Sequence, residues 1–320
     1  PGAEGPWPEC RTKLEARGVS SRKITDLARF AEEMKPGDLV VLRTGTKLVR
    51  GVGEIDGPYQ WHDEFGDIDG WDLQHVRRVR WYWKGGEEPA RFAAYSLKLG
   101  DTTQLLNEGE VLEWLVELDT DQEGIENRPL RELPEEADRT ITVDEISEFL
   151  FDHGVASTAI NSLIAQIGEL TRIARWYRRA GRPSEHETVA YLVAPLLRSL
   201  GWTPQRMAVE WNRLDLALFS TVPRDEDGVV VVVEAKKMGN SCLTALSQAE
   251  AYAKSRPHCR RLIVTDGTRY GVYTKDGDQF ELHSYLNLTR LRADYPIYGC
   301  GGAEEAMFAM SPYWGSDKES

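Results

Sequence analysis

Hydrophobic positions fall on a helical spacing first at residues 20–35, where Ile24, Leu27, Ala28, Phe30, Ala31 and Met34 line one face behind Ser20 and Ser21, either of which can cap. A short opening helix is predicted, stopped by Pro36 and Gly37. The period then changes to that of strands. LVVLR, KLVRGVGEI and HVRRVRWYW are rich in β-branched and aromatic residues and are separated by Gly, Asp and Pro, which predicts a small, mostly β domain. Residues 118–140 are acidic, Pro-bearing and weakly periodic, as suits an exposed connection. From Ile141 the pattern is helical through ITVDEISEFLFDHG, NSLIAQIGELTRIARWYRRAG and SEHETVAYLVAPLLRSLGW. Five strand candidates follow, MAVEW, RLDLALFS, VVVVVEA, RLIVT and GVYT, with a helix over SCLTALSQAEAYAK between the third and fourth. Strands interleaved with helices around a near-continuous apolar strand predict a mixed sheet with helices on its faces. The expected organisation is therefore multidomain, with residues 1–140 forming one domain and 141–320 an α/β domain entered through a helical linker.

Composition narrows the functional classes. A chain of 320 residues with 41% hydrophobic and 28% charged residues is neither collagen, coiled coil nor disordered polymer. No apolar stretch approaches the roughly 20 residues of a bilayer helix, so a membrane partner is not expected. The opening PGAEGPWPEC lacks the basic start and apolar core of a signal peptide, and the expectation is a cytoplasmic protein. Cys10, Cys242, Cys259 and Cys300 show no zinc-type spacing and read as reduced structural thiols. A formal net charge of −13 argues against coating nucleic acid by bulk attraction, while leaving room for a local basic groove.

Candidate chemistry sits in the second domain. RLDLALFS places Asp215 between two leucines, and VVVVVEAKK ends a buried strand with Glu234, Ala235 and Lys236. Alternate strand residues share a face, so Glu234 and Lys236 point the same way and an adjacent strand can bring Asp215 beside them. Two converging carboxylates repel unless a cation lies between them, and hard oxygen ligands suit Mg²⁺, with Mn²⁺ as a substitute. Such an ion can polarise a phosphoryl oxygen and acidify water while a lysine orients that water or offsets charge. By itself a D…ExK match is more often a turn and a solvated strand end.

The wider context carries a resemblance. SEHETVAYLVAPLLRSLGW, RLDLALF, VVVVVEAKK, QAEAY with Gln248 and Tyr252, and RLIVTDGTRYGVY occur in order over residues 160–285, and together they resemble the amino-terminal nuclease domain of type I restriction enzyme R subunits, a branch of the PD-(D/E)XK superfamily. The resemblance implies that Asp215 and Glu234 ligate the metal, that Lys236 is the catalytic lysine, and that Gln248 and Tyr252 lie beside the site. Leu214 stands where the superfamily's name has Pro. Glu185 best matches the helical carboxylate, with Glu187 second, although either could simply stabilise a helix N-terminus. Gln248 and Tyr252, at i and i+4, could equally be a packed pair. Arg172, Arg175, Arg179 and Arg182 make a basic stripe, for phosphate contact or as a solvated face.

MKPGDLVVLRTGTKLVRGVGEIDGPYQWHDEFGDIDGWDLQHVRRVRWYW resembles the EVE and related PUA-like β-barrels, relatives of the YTH fold, over residues 20–120. Such domains bind nucleic acid, several holding one flipped modified base in an aromatic pocket. Tyr59, Trp61, Trp71, Trp81 and Trp83, with Tyr82, offer stacking faces, and Arg77 and Arg78, with Arg80, could hold the backbone. Strict alternation in RVRWYW would place Trp81 and Trp83 on one face and Arg80 and Tyr82 on the other, and an aromatic barrel core is the competing role for any one ring. GVGEIDG has GxGxxxG spacing followed by Pro58, so it is not a dinucleotide fingerprint, and no GxxxxGK[ST] is present. The combined expectation is a modification-dependent DNA endonuclease acting in defence against foreign DNA, dimeric at least on DNA. The alternatives are a nuclease subunit needing a separate ATPase partner and a non-catalytic reader.

Overall fold

The computed structural model describes residues 5–62, 65–67, 69, 73–86, 88–100, 102–118, 140–295 and 297–315. The chain divides into two compact units, one of Pro1–Gly66 with Asp72–Leu133, the other of Asp67–Trp71 with Pro134–Ser320. The expected connection at 118–140 falls almost entirely outside the described residues. Among the described residues no helix is long and apolar enough to cross a membrane.

In the first unit, helices α1 (Glu9–Ala16) and α2 (Ser21–Ala28) precede strands β1 (Leu39–Thr44), β2 (Leu48–Ile55), β3 (Gln60–Trp61), β4 (His75–Val76), β5 (Val79–Lys84) and β6 (Ala90–Arg91), and α3 (Glu110–Glu117) follows. The opening helix is shorter than expected, because a wide turn over Arg29–Glu33 takes up its last residues, with Met34 N–H bonded to Arg29 O, before Pro36. β2 is central, antiparallel to β1 on one side and to β5 and β6 on the other, and β3 pairs only with β4. Among the described residues no ladder joins β1 back to β5 or β6, so the antiparallel sheet is seen there without the closure of the barrel expected from the sequence. Gly51 and Gly53 in β2 have a packing role: a Cβ on Gly53 would stand 2.5 Å from Arg80 O, and one on Gly51 would stand 2.8 Å from the Trp81 ring. Val49, Val52, Leu97 and Val111 form this unit's core.

The second unit adds α4 (Val143–Asp152), α5 (Ser157–Ala180), α6 (Glu185–Thr188), α7 (Ala194–Ser199), β7 (Met207–Trp211), β8 (Leu214–Phe219), β9 (Val229–Ala235), α8 (Leu246–Ala253), β10 (Arg261–Thr265), β11 (Arg269–Asp276), β12 (Gln279–Asn287), β13 (Asp294–Tyr295), β14 (Cys300–Gly301) and α9 (Ala303–Met310). Its strands form one eight-stranded mixed sheet in the order β13-β14-β12-β11-β10-β9-β8-β7. The valine run is where the sequence places it, at β9, between antiparallel β8 and parallel β10. Both faces of this strand are covered. Leu216, Leu218, Val231 and Val233 pack on Leu192, Val193 and Leu196 with α5 and α9, while Ala217, Phe219 and Val232 pack on Ala245, Ala249 and Ala253. The single helix expected over 184–202 is instead α6 and α7 joined by a widened turn at Val189–Val193, just ahead of Pro195, which has no N–H to give the carbonyl one turn back. β12 to β14 and α9, absent from the expected elements, complete the sheet and cover its end.

Gly302 caps α9 where two backbone segments run close together: a Cβ there would lie 2.2 Å from Arg292 O and 2.5 Å from Ala293 C and O. Neither contact is with a side chain that could move aside. Gly302→Ala is expected to lower stability by about 1–3 kcal/mol, read as a lower urea midpoint at unchanged m-value.

Candidate active site

β7 and β8 are joined by Asn212 and Arg213, both with positive φ, at 45° and 75°. That is the two-residue turn whose twist matches the strands it links, and it delivers Asp215 at the second position of β8. Leu216 lies opposite Val233 in the antiparallel pairing, which makes Asp215 and Glu234 the next positions on their strands. By the two-residue period Asp215 follows Ala217, and Glu234 follows Val232, toward the face that packs on α8. Lys236 continues that face just past β9, its backbone N–H bonded to Thr265 O of the parallel neighbour at 2.7 Å.

Side-chain contacts close the arrangement. Lys236 Nζ donates to Glu234 Oε1 at 3.0 Å and to Gln248 Oε1 at 2.9 Å. Gln248 Nε2 in turn donates to Tyr252 Oη at 3.3 Å, one helical turn on. Asp215 Oδ2 accepts the Ala235 N–H at 2.7 Å, which ties the first carboxylate to the backbone beside the second. The Glu234 side chain is 4% exposed and that of Lys236 23%, so the ion pair is largely withdrawn from water.

Burial is the main reason both carboxyls are held above the usual carboxylate range. For Asp215 the Ala235 N–H and the charge of Lys236 oppose the rise, while Glu185 adds to it. For Glu234 the Lys236 hydrogen bond opposes it, while Asp215 and Glu185 add to it. Glu185 opens α6 and acts on both acids. Glu187 has a different task. It closes a capping box with Ser184, donating its own N–H to Ser184 Oγ at 3.2 Å, while its carboxylate accepts Ser184 N–H at 2.8 Å and the Ser184 hydroxyl at 3.0 Å, and these two accepted bonds hold its carboxyl below the usual range.

Among the described residues, Glu234 Oε2 is buried and has no hydrogen-bond partner. An uncompensated buried carboxylate oxygen is costly, and beside a second, half-buried acid it fits a divalent cation. Among the described residues no three acidic, His or Cys side chains gather into a full metal cage. Two carboxylates suffice for Mg²⁺, which commonly keeps several waters and takes further oxygens from a phosphate.

Of the arginine stripe, Arg172 pairs with Glu169 at i−3, and Arg182 packs over the turn after Lys236, its Cζ 3.1 Å from where a Cβ of Gly239 would lie. Arg175 and Arg179 are exposed.

In the first unit Tyr59, Trp61 and His75 gather at the β3–β4 hairpin. Tyr59 Oη accepts Trp7 N–H at 3.2 Å and bonds His75 Nδ1 at 2.7 Å, and the two rings stack at 5.9 Å. Phe30 meets Tyr59 edge-on at 6.5 Å. The Trp61 indole N–H is buried with no hydrogen-bond partner among the described residues. Trp83 packs edge-on to Trp114 at 5.3 Å, against the core, and Trp81 lies over Gly51. A bulge in β5 sets Trp81 opposite Gly53 and Trp83 opposite Val52, so strict alternation fails at Tyr82. Arg77 donates to Phe30 O at 2.6 Å and Ala31 O at 3.0 Å, Arg78 is exposed, and Trp71 lies outside the described residues. His75 and Phe30 carry no signal for this cluster in the sequence pattern, since neither stands in an aromatic run.

Residues 6–103 match the model of a family described as a domain of unknown function, DUF8426. No curated protein and no solved structure matches the chain.

Proposed function

We propose that this chain is a modification-dependent DNA endonuclease, in which a PUA-like first unit selects DNA by a modified base and a PD-(D/E)XK second unit hydrolyses the phosphodiester with Mg²⁺. One observation carries the reading: Asp215, Glu234, Lys236 and Gln248 converge at one strand end, with a buried carboxylate oxygen left without a partner. The mixed sheet covered on both faces agrees with the architecture that the resemblance implies.

Asp215 and Glu234 would hold the ion, which when bound supplies Lewis acidity toward the phosphoryl oxygen and lowers the pKa of water. Lys236 has two of its three donors engaged by Glu234 and Gln248, and the third is available to orient the attacking water or to offset charge on the phosphate in the transition state. Gln248, steadied by Tyr252, fixes the amine so that no reorganisation is needed when charge develops. Arg182, beside the turn that follows, is placed to meet a neighbouring phosphate. In the first unit, the unpartnered Trp61 N–H and the stacked Tyr59 and His75 rings favour a flat, acceptor-bearing ligand such as a flipped base. Each chain carries one such site, so cutting both strands calls for two copies on the DNA.

The test is incubation of the purified chain with plasmids bearing different cytosine or adenine modifications, in Mg²⁺ and without nucleotide triphosphate. Scission of one modified plasmid by wild type, and none by Asp215→Ala, is expected. Scission only after an ATPase is added would make the chain a subunit, and none under either condition would leave it a reader.

A further inference from the structure

We infer that Asp67 and Asp69, which lie in sequence between β3 and β4 yet belong to the second unit, are positioning residues for the nuclease site: they fix the turn that joins the catalytic strand to the helix carrying Gln248. The inference rests on the function just proposed. It starts from the backbone. Both aspartates sit in the left-handed region, at φ 71° and 46°, a conformation that Asp and Asn tolerate better than other residues with a Cβ.

Asp69 holds one end of a short turn directly, and Asp67 reaches the other end through Arg269 and Asp266. Asp69 Oδ1 accepts the backbone N–H of Cys242 at 3.0 Å and of Leu243 at 3.3 Å, and the Cys242 thiol approaches it at 3.4 Å. These amides begin the tight turn Leu243–Ala245 that runs into α8. Asp67 accepts from Arg269 Nε at 2.7 Å and from Asn287 Nδ2. Arg269 also donates to Asp266 Oδ2 at 3.2 Å, and the same oxygen accepts Gly239 N–H at 2.9 Å. Gly239 is thus tied to the segment through Arg269 and Asp266, and Cys242 is tied to it directly. Asp266 and Cys242 are fully buried, Asp67 is 6% exposed and Asp69 is half-buried, so the donors and most of the acceptors lie in the interior rather than among surface pairs screened by solvent.

The turn so held lies between Lys236 and Gln248. Lys236 is anchored by the sheet, through Thr265, and Gln248 by α8 alone, so the 2.9 Å contact between them depends on where α8 starts. A displacement of about 1 Å there would take Gln248 Oε1 out of hydrogen-bond range of Lys236 Nζ. Misplacement on that scale costs on the order of 10²-fold in rate.

The experiment uses the full chain with Asp69→Gly and Asp69→Asn. Glycine accepts the positive φ and removes the acceptor, while asparagine keeps both. Asp69→Gly is expected to lower kcat for DNA cleavage about 10–100-fold with KM within about twofold, and to raise amide hydrogen exchange in peptides covering 239–253 but not in those covering β8 and β9. Asp69→Asn should recover kcat to within about threefold and restore protection, because the acceptor and not the charge makes the bonds. Equal loss in both variants, unchanged exchange over 239–253 in Asp69→Gly, or a rise in exchange spread through β7 to β12, would overturn the inference. If the wild-type chain cuts no DNA, the function proposed above fails, and the exchange pattern of the two variants still decides whether Asp69 positions α8.

Discussion

Lys236→Ala is expected to lower the single-turnover rate of DNA cleavage by at least about 10²–10³-fold, the range seen when one preorganised group is removed from a developing charge. DNA affinity should change much less. The reason is the division of contacts around Nζ. Glu234 and Gln248 hold the amine in place without neutralising the space in front of it, so the loss falls on the transition state and not on ground-state binding. Removing it also leaves Glu234, with a side chain only 4% exposed, lacking both its ion pair and a partner for Oε2. Cleavage should therefore not return at higher protein or DNA concentration. Lys236→Arg tests geometry separately: a planar fork cannot replace a compact ammonium between two acceptors, and little recovery is expected. A Lys236→Ala chain that cuts at the wild-type rate would remove the amine from the mechanism.

Asp215→Asn should abolish cleavage while making the metal-free protein more stable at neutral pH, by about 1 kcal/mol, or roughly 2–4 °C in Tm for a unit of this size. Asparagine keeps an oxygen for the Ala235 N–H but removes a half-buried charge beside the buried Glu234. The sign follows from the direction of both shifts. Because Asp215 and Glu234 are held above the usual carboxylate range in the folded chain, the folded state binds more protons than the unfolded one in the interval above about pH 4, and stability falls as pH rises through it. The advantage of Asp215→Asn is thus full at pH 7 and fades toward pH 4. Mg²⁺ should produce the opposite asymmetry. At ten times its dissociation constant it would stabilise wild type by about 1.4 kcal/mol and the variant by far less. Differential scanning fluorimetry at several pH values, with and without Mg²⁺, measures both trends. A variant that melts below wild type at pH 7, or responds equally to Mg²⁺, would contradict the reading of the pair as a cation site.

The parts of the site that could be read from the sequence are those built from short-range periodicity. The face shared by Glu234 and Lys236 follows from the period of two, and the Gln248–Tyr252 contact from the period of a helix, so both needed only that the elements be assigned correctly. The Ser184–Glu187 capping box was also legible as S-x-x-E, and separates Glu187 from Glu185. Trp81 and Trp83 were not, because one extra residue in β5 resets alternation and no composition signal marks that bulge. Nor was the sheet's far half, β12 to β14, whose short strands mix polar and apolar residues without clean periodicity. The bonds of Asp67 and Asp69 join residues more than 170 positions apart, and nothing local in GDIDG distinguishes them from turn formers.

The stretch Asp67–Trp71 makes the second unit discontinuous along the chain. A fragment cut at the 133–134 junction would therefore be missing acceptors for Cys242, Leu243, Arg269 and Asn287, and its isolation as a free-standing catalytic piece would begin with an internal deficit. Exchange of the amino-terminal unit for one of different taste cannot be done by end-to-end fusion either, since any replacement would have to bring a loop that offers the same two acidic groups at the same spacing.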